Sequence, residues 1–128
     1  MKLDRKFLLC GLAYAIAGMC VGIYMAASKS HGEFIAHAHI LLVGFVVSFV
    51  YSLIHRLWVS AETVTMARFQ FYLHQLSALV MSFGLLLFYG GLFQETLDPI
   101  LAVSALGVLV SALMMLYLVI KFPKDGAV

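Results

Sequence analysis

Two histidines, His37 and His39, stand one residue apart near the head of a long apolar run, Phe34-Ile-Ala-His-Ala-His-Ile-Leu-Leu-Val-Gly-Phe-Val-Val-Ser-Phe-Val. Imidazole is costly in hydrocarbon unless it is paired or bound, so an ionisable side chain inside such a run marks a functional site by default. On a helix, positions i and i+2 lie about 200° apart around the axis. The two rings leave the helix on opposite flanks, so each can serve a different site rather than both gripping one ion.

Both flanks continue along the run. From His37 the expected face collects Gly44, Ser48, Tyr51 and His55, a stripe of small and polar residues. From His39 it collects Val43, Val46, Val50 and Leu53. An aliphatic wall beside a ligating histidine suits a flat apolar macrocycle, and Gly44 would leave space for one. The same stripe also serves an ordinary helix–helix contact. His31 falls in a loop and reads as solvated. His74 lies roughly 12 Å beyond Met66 along its own helix, at ~1.5 Å per residue. It is too deep to share a site with His37 or His39, but it is near His55 in depth. His55 and His74 are expected to form a polar cluster with Gln70 and Ser77, or a second metal site.

The elements that must position these residues are membrane spans. Of 128 residues, 64% are hydrophobic and 11% charged, and the mean hydropathy is +1.06. Soluble domains are nearer half apolar and a quarter charged. A spanning helix needs about 20 predominantly apolar residues. Four segments qualify: residues 7–27, 34–58, 66–89 and 100–120. The runs lack the period-two alternation of barrel strands. The fold expected is all-α, an integral membrane antiparallel four-helix bundle forming a single domain over 1–128. The first span is too long for a signal peptide's apolar core and shows no evident cleavage site.

Loop chemistry agrees. Gly90-Gly91 ends span three, Asp98-Pro99 reads as an N-cap with proline at the first helical position, and Pro123 follows span four. Gly11, Ala15, Gly18 and Gly22 form one small-residue stripe on span one, and Ser104, Gly107 and Ser111 another on span four. Such stripes bring helix backbones close, either within one protomer or between protomers. Cys10 and Cys20, ten residues apart on one helix, cannot bridge and read as packing residues. Met114-Met115 read as lipid-facing.

Basic residues set the orientation. Lys2, Arg5, Lys6, Arg56, Arg68, Lys121 and Lys124 fall at one end and only Lys29 at the other. Seven against one places both termini in the cytoplasm. The formal charge of +2 is this signal and implies no nucleic-acid partner.

Each shallow histidine needs a partner at its own depth. No other span offers a histidine there, and Glu33 is the only weaker alternative. Symmetry solves this: His37 of one chain can face His39 of the next, and a head-to-tail interface closes into a ring when its rotation allows. Bis-imidazole ligation at an apolar interface fits haem b, whereas a hydrated ion prefers more polar surroundings.

The segment Ala36-His-Ala-His-Ile-Leu-Leu-Val-Gly-Phe, followed by Leu53-Ile-His-Arg-Leu-Trp, resembles helix two of subunit I of the haem-copper oxidases. It looks most like the cbb3-type oxidases and nitric oxide reductases. The resemblance covers span two; the other spans match in topology alone. It implies that His37 is an axial ligand of a low-spin haem b. His37 and His39 also match a His-x-His helix of that family, in which each histidine ligates a different haem. The large subunit has twelve helices in three four-helix units, so three copies of this chain would rebuild it as a homotrimer. No His-His pair and no His-x-x-x-Tyr matches the copper-centre ligands, which argues against oxygen reduction.

The reading is therefore a haem b protein of the bacterial inner membrane, with His37 and His39 as iron ligands, Gly44 and Ser48 lining the cofactor, and His55 and His74 as a second site. Electron transfer or redox sensing would be its task, with a quinol or a respiratory donor as partner. The alternatives are a copper-binding or transport protein, suggested by seven methionines beside a His-x-His, and a structural accessory subunit. A reporter fused after Val128 is expected to be active only on the cytoplasmic side; periplasmic activity would reverse the orientation.

Overall fold

Each apolar run folds as one continuous helix. The computed structural model describes residues 1–126. It contains α1 (Leu3–Ser28), α2 (Phe34–Leu57), α3 (Thr65–Tyr89) and α4 (Gln94–Lys121), all long and apolar enough to cross a membrane. Residues 127 and 128, the last two of the expected domain, lie outside the described residues. Among the described residues there is no strand beyond one isolated bridge, Val59 to Pro123. Large apolar side chains face outward on all four helices, among them Ile16, Leu42, Leu76 and Leu106. This is the pattern of a multi-pass membrane protein, whose outer solvent is hydrocarbon.

The helix ends follow from backbone chemistry. α3 stops in a Schellman turn: Gly91 takes φ 81°, its N–H donates to Phe88 O, and Leu92 N–H donates to Leu87 O. Only glycine adopts that φ without strain, so the expected stop at Gly90-Gly91 is met. The start of α4 differs from expectation. The helix begins at Gln94, and Pro99 lies inside it rather than at its first position. The added turn and a half buries Leu97 close to Gly84 of α3. That apolar contact outweighs the backbone bond that proline cannot make.

The start of α1, the segment after α4 and the loop between α2 and α3 meet at one end, called the inner end after the expectation from the basic residues. Ser60 N–H donates to Phe122 O and Lys124 N–H to Trp58 O. The Ser52 hydroxyl donates to the carbonyl of Asp4 at 2.7 Å. These bonds tie the start of α1, the end of α2 and the end of α4 together.

Small residues set the helix spacing. A side chain on Gly11 would meet Phe45 and Ser48, one on Gly18 would meet Leu41, and one on Gly22 would meet His37. In return Gly44 of α2 receives the ring of Tyr14. On the other side, Gly107 of α4 lies over Ser77 and Gly84 of α3 over Leu101. Both stripes are thus used within the protomer. α3 approaches α2 most closely along Phe34–Val46. Nearer the inner end the helices are held apart by a core containing Phe7, Tyr51, Phe71, Met115 and Leu118. Met115 is buried there, contrary to a lipid-facing role. Cys20 is exposed rather than packed, and Cys10 is half-buried; both are free.

Because the ring of Tyr14 occupies the notch at Gly44, Gly44→Ala is expected to lower stability by ~1–3 kcal/mol through overpacking. Thermal unfolding in detergent should show that Gly44→Ala combined with Tyr14→Ala loses less than the sum of the single losses, the mark of two residues in contact.

Candidate functional site

The helix bearing the histidines is not uniform. α2 is regular over Phe34–His39, π-helical over Ile40–Val46, and regular again over Val47–Leu57. A π-turn bonds i to i+5, is rare, and occurs often at functional sites. Its wider turn changes which residues share a face. The buried stripe runs Ala36, Ile40, Gly44, Ser48, in steps of four, then Tyr51, Ser52 and His55. The sequence-based face began at His37 because it assumed a regular period. Instead, Ala36 holds the buried position and His37 sits beside it, half-buried.

His37 turns toward α1. Its Nδ1 is 2.8 Å from Gly18 O, and its ring lies over Gly22, where a β-carbon would collide with Cε1. A carbonyl only accepts, so Nδ1 carries the proton and Nε2 is the basic nitrogen. His39 is anchored differently but to the same effect. Its Nδ1 donates to Ile35 O, one turn back on its own helix, at 2.9 Å. Among the described residues, neither Nε2 has a protein partner. The two side chains do not converge, which agrees with the divergence expected from their spacing.

The other residues expected near a cofactor have different tasks. The space at Gly44 is filled by Tyr14, whose hydroxyl donates to Gln75 O at 3.2 Å. Ser48 is fully buried and belongs to the cluster around His74. Both corrections have one cause: the tight α1–α2 contact closes this face within the protomer. The aliphatic flank is met in three of its four residues: Val46, Val50 and Leu53 face outward, but Val43 is half-buried and packs inward against the cluster of Ala36, Met81 and Leu85. Glu33 is no partner for the histidines, since Oε1 faces Gly90 at the end of α3. His31 is exposed.

His74 is fully buried and has both nitrogens engaged. Nδ1 lies 3.4 Å from Ser111 Oγ and Nε2 lies 3.2 Å from Ser48 Oγ. Hydroxyl roles fix the proton positions. Ser111 O–H donates to Val108 O, so Ser111 Oγ accepts from His74 Nδ1–H. Gln75 Nε2 donates to Ser48 Oγ, and Ser48 O–H donates to His74 Nε2. Gln70 Nε2 adds a bond to Ser111 O at 3.2 Å. The result is a neutral, satisfied histidine joining α2, α3 and α4.

His55 and His74 are brought near one another, but Phe7 comes between them. Its ring stacks on His55 with centroids 5.5 Å apart and lies 6.2 Å from His74. No bond joins the two histidines. With both His74 nitrogens used, this arrangement does not make the second metal site considered from sequence. The polar cluster has other members than expected: His74 pairs with Ser48 and Ser111, Gln70 joins it through Ser111 O, His55 stands outside it without a hydrogen bond, and Ser77 is packed under Gly107. Among the described residues no group of three His, Cys, Asp or Glu side chains could hold a metal ion. Met81 and Met115 lie in apolar clusters.

Sequence reasoning missed Tyr14, Gln75 and the carbonyl of Gly18. Gln75, beside His74 in an apolar span, was a visible signal. The Gly18 carbonyl had none, because a backbone acceptor leaves no trace in residue types. No protein-family model, curated protein or solved structure matches the chain.

His74→Ala is expected to cost ~1–3 kcal/mol, since it strands the buried Ser48 and Ser111 hydroxyls. Thermal unfolding should show this loss, while any cofactor spectrum that depends on His37 and His39 is retained.

Proposed function

We propose that this protein binds haem b in the membrane, with Nε2 of His37 from one copy and Nε2 of His39 from the next as axial ligands. The observation that carries this reading is the shared anchoring of the two rings. Each Nδ1–H is donated to a backbone carbonyl and each Nε2 is left basic and unpartnered. Metal-ligating histidines commonly donate the other ring N–H to a carbonyl or carboxylate, which fixes the tautomer and raises ligand basicity. The residues present therefore fit a haem iron. Gly18 O and Ile35 O would hold the tautomers, and the bare Cα of Gly22 would give the His37 ring its place.

A single chain supplies two diverging ligands and no converging pair, which favours a ring of copies, most simply a homotrimer of twelve helices. The resemblance of this segment to subunit I of the haem-copper oxidases supports the same ligand role for His37. The exposed Val46, Val50 and Leu53 would give the cofactor or the next copy an apolar surface. A haem iron with two histidine ligands has no open coordination position, and the group then supplies one-electron chemistry. Electron transfer or redox sensing follows, with a quinol or a respiratory donor as electron source. The seven-to-one asymmetry of basic residues supports a position near the outer face of a bacterial inner membrane, with both termini inside.

The purified protein is expected to show a sharp Soret band with split α and β bands. A copper signal in its place would favour the copper-handling reading, and no visible absorbance would favour a structural subunit. His37→Ala and His39→Ala should each abolish the six-coordinate spectrum, whereas co-expression of the two variants should restore part of it. In such a mixture some interfaces pair an intact His37 with an intact His39, and a ligand that binds only the assembled state stabilises it. Zero recovery in oligomers shown to be mixed would overturn ligation between chains.

A further inference from the structure

At the inner end, the start of α1, the end of α2, the α2–α3 loop and the segment after α4 line a half-open polar cavity of ≈ 340 Å³. Its wall carries three cationic side chains, Lys2, Arg56 and Lys124, and two carboxylates, Asp4 and Glu62, with His55 among them. The cavity is built, not a chance gap between side chains. The backbone bonds between Ser60 and Phe122 and between Lys124 and Trp58 hold its rim, and Lys124 Nζ donates to Arg56 O at 3.0 Å.

The charged side chains are loosely paired with one another, and the buried histidine among them is not paired at all. The ion pairs across the cavity are long, Arg56 to Asp4 at 3.6 Å and Lys2 to Glu62 at 3.9 Å. His55 is 4% exposed, and neither of its ring nitrogens has a hydrogen-bond partner. A buried polar group without a partner is uncommon and calls for one, from water or a ligand. A half-turn of the ring about Cβ–Cγ exchanges its nitrogens with its two other carbons and leaves its shape unchanged. Either edge can then be offered to a ligand.

The mixture of charges narrows the ligand. A simple anion would meet Asp4 and Glu62, and a simple cation would meet Lys2, Arg56 and Lys124. A molecule carrying a phosphate and a primary ammonium a few bonds apart satisfies both sets. Lysine and arginine take the phosphate oxygens, the carboxylates take the ammonium, and His55 gains a partner in a phosphate oxygen. The cavity lies at the ends of helices long enough to span a membrane, where headgroups would stand, and next in sequence to its lining residue Val59 is Trp58, a residue type enriched at that depth. We infer that this cavity holds the phosphoethanolamine headgroup of a membrane phospholipid. This inference is independent of the haem reading.

The test is lipid retention by the full-length protein, read by native mass spectrometry from micelles holding equal amounts of phosphatidylethanolamine, phosphatidylglycerol and phosphatidylcholine. Phosphatidylethanolamine should be retained above the other two. Phosphatidylglycerol has no amine, and the trimethylated ammonium of phosphatidylcholine cannot donate a hydrogen bond to Asp4 or Glu62. Glu62→Gln, in an exposed loop where folding is not at stake, should reduce the excess over phosphatidylglycerol about fivefold, the scale of one partly exposed ion pair. His55→Phe keeps the stacking on Phe7 and should reduce phosphatidylethanolamine retention. Capture of soluble O-phosphoethanolamine without retention of any lipid would support the same pocket chemistry with a water-borne source. Equal retention of the three lipids, preference for phosphatidylglycerol, or a phosphatidylethanolamine preference unchanged in both variants would overturn the inference.

Discussion

Hydrocarbon offers no hydrogen bonds, so every carbonyl, hydroxyl and imidazole at membrane depth must find its partner inside the protein. Apolar burial gives little drive to associate helices already surrounded by lipid. Close contact and a few polar bonds must hold the chain together instead. The α1–α2 pair shows how one contact does both. Glycines at 11, 18, 22 and 44 bring the backbones near enough for Tyr14 to seat in the Gly44 notch and for His37 to reach the carbonyl of Gly18. That bond exists only because both helices lack β-carbons where they cross.

The histidines divide by how many nitrogens the protein leaves available. His74 has none: two serines take its ring, and a glutamine supports each serine. It joins three helices and has no capacity for a metal. His37 and His39 each have one nitrogen committed to a carbonyl and one open. This half-satisfied state is unfavourable in an apolar setting unless something binds there, so these two residues bear the functional argument. His55 has both nitrogens open but lies against Phe7 in the wall of a polar cavity rather than in the apolar middle. Similar residues in one small protein thus have three different surroundings, set by how many ring nitrogens find a hydrogen-bond partner.

The two ends are built differently. At the inner end, three segments of chain are cross-linked by two backbone bonds and the Ser52 hydroxyl and line a charged cavity. Toward the other end the helices lie closer, α2 carries its π-segment, and the open imidazoles stand within two turns of its start. The π-segment joins these regions. By adding width to the turn it keeps Gly44 and Ser48 in the core while displacing His37 from the buried line to the flank facing α1.

Much of this was legible in the sequence. Four apolar runs of spanning length fix four helices, because no other element satisfies its own backbone in lipid. The Gly90-Gly91 stop, the small-residue stripes, the depth of His74 relative to His37 and the divergence of His37 from His39 all follow from residue type and a 3.6-residue period. What the sequence left open was decided by contacts between helices. The period itself fails at Ile40–Val46, and no residue there announces it, since a π-turn is a compromise between facing surfaces rather than a local preference. Gly44 reads as space, but only the packed structure shows that Tyr14 fills it. Asp98-Pro99 reads as a helix start, yet burial of Leu97 at Gly84 extends the helix past it. The availability of each imidazole nitrogen also depends on a carbonyl or hydroxyl brought from another turn or another helix. Composition and spacing determine which segments become helices; the pairing of their surfaces determines which polar atoms remain unpartnered.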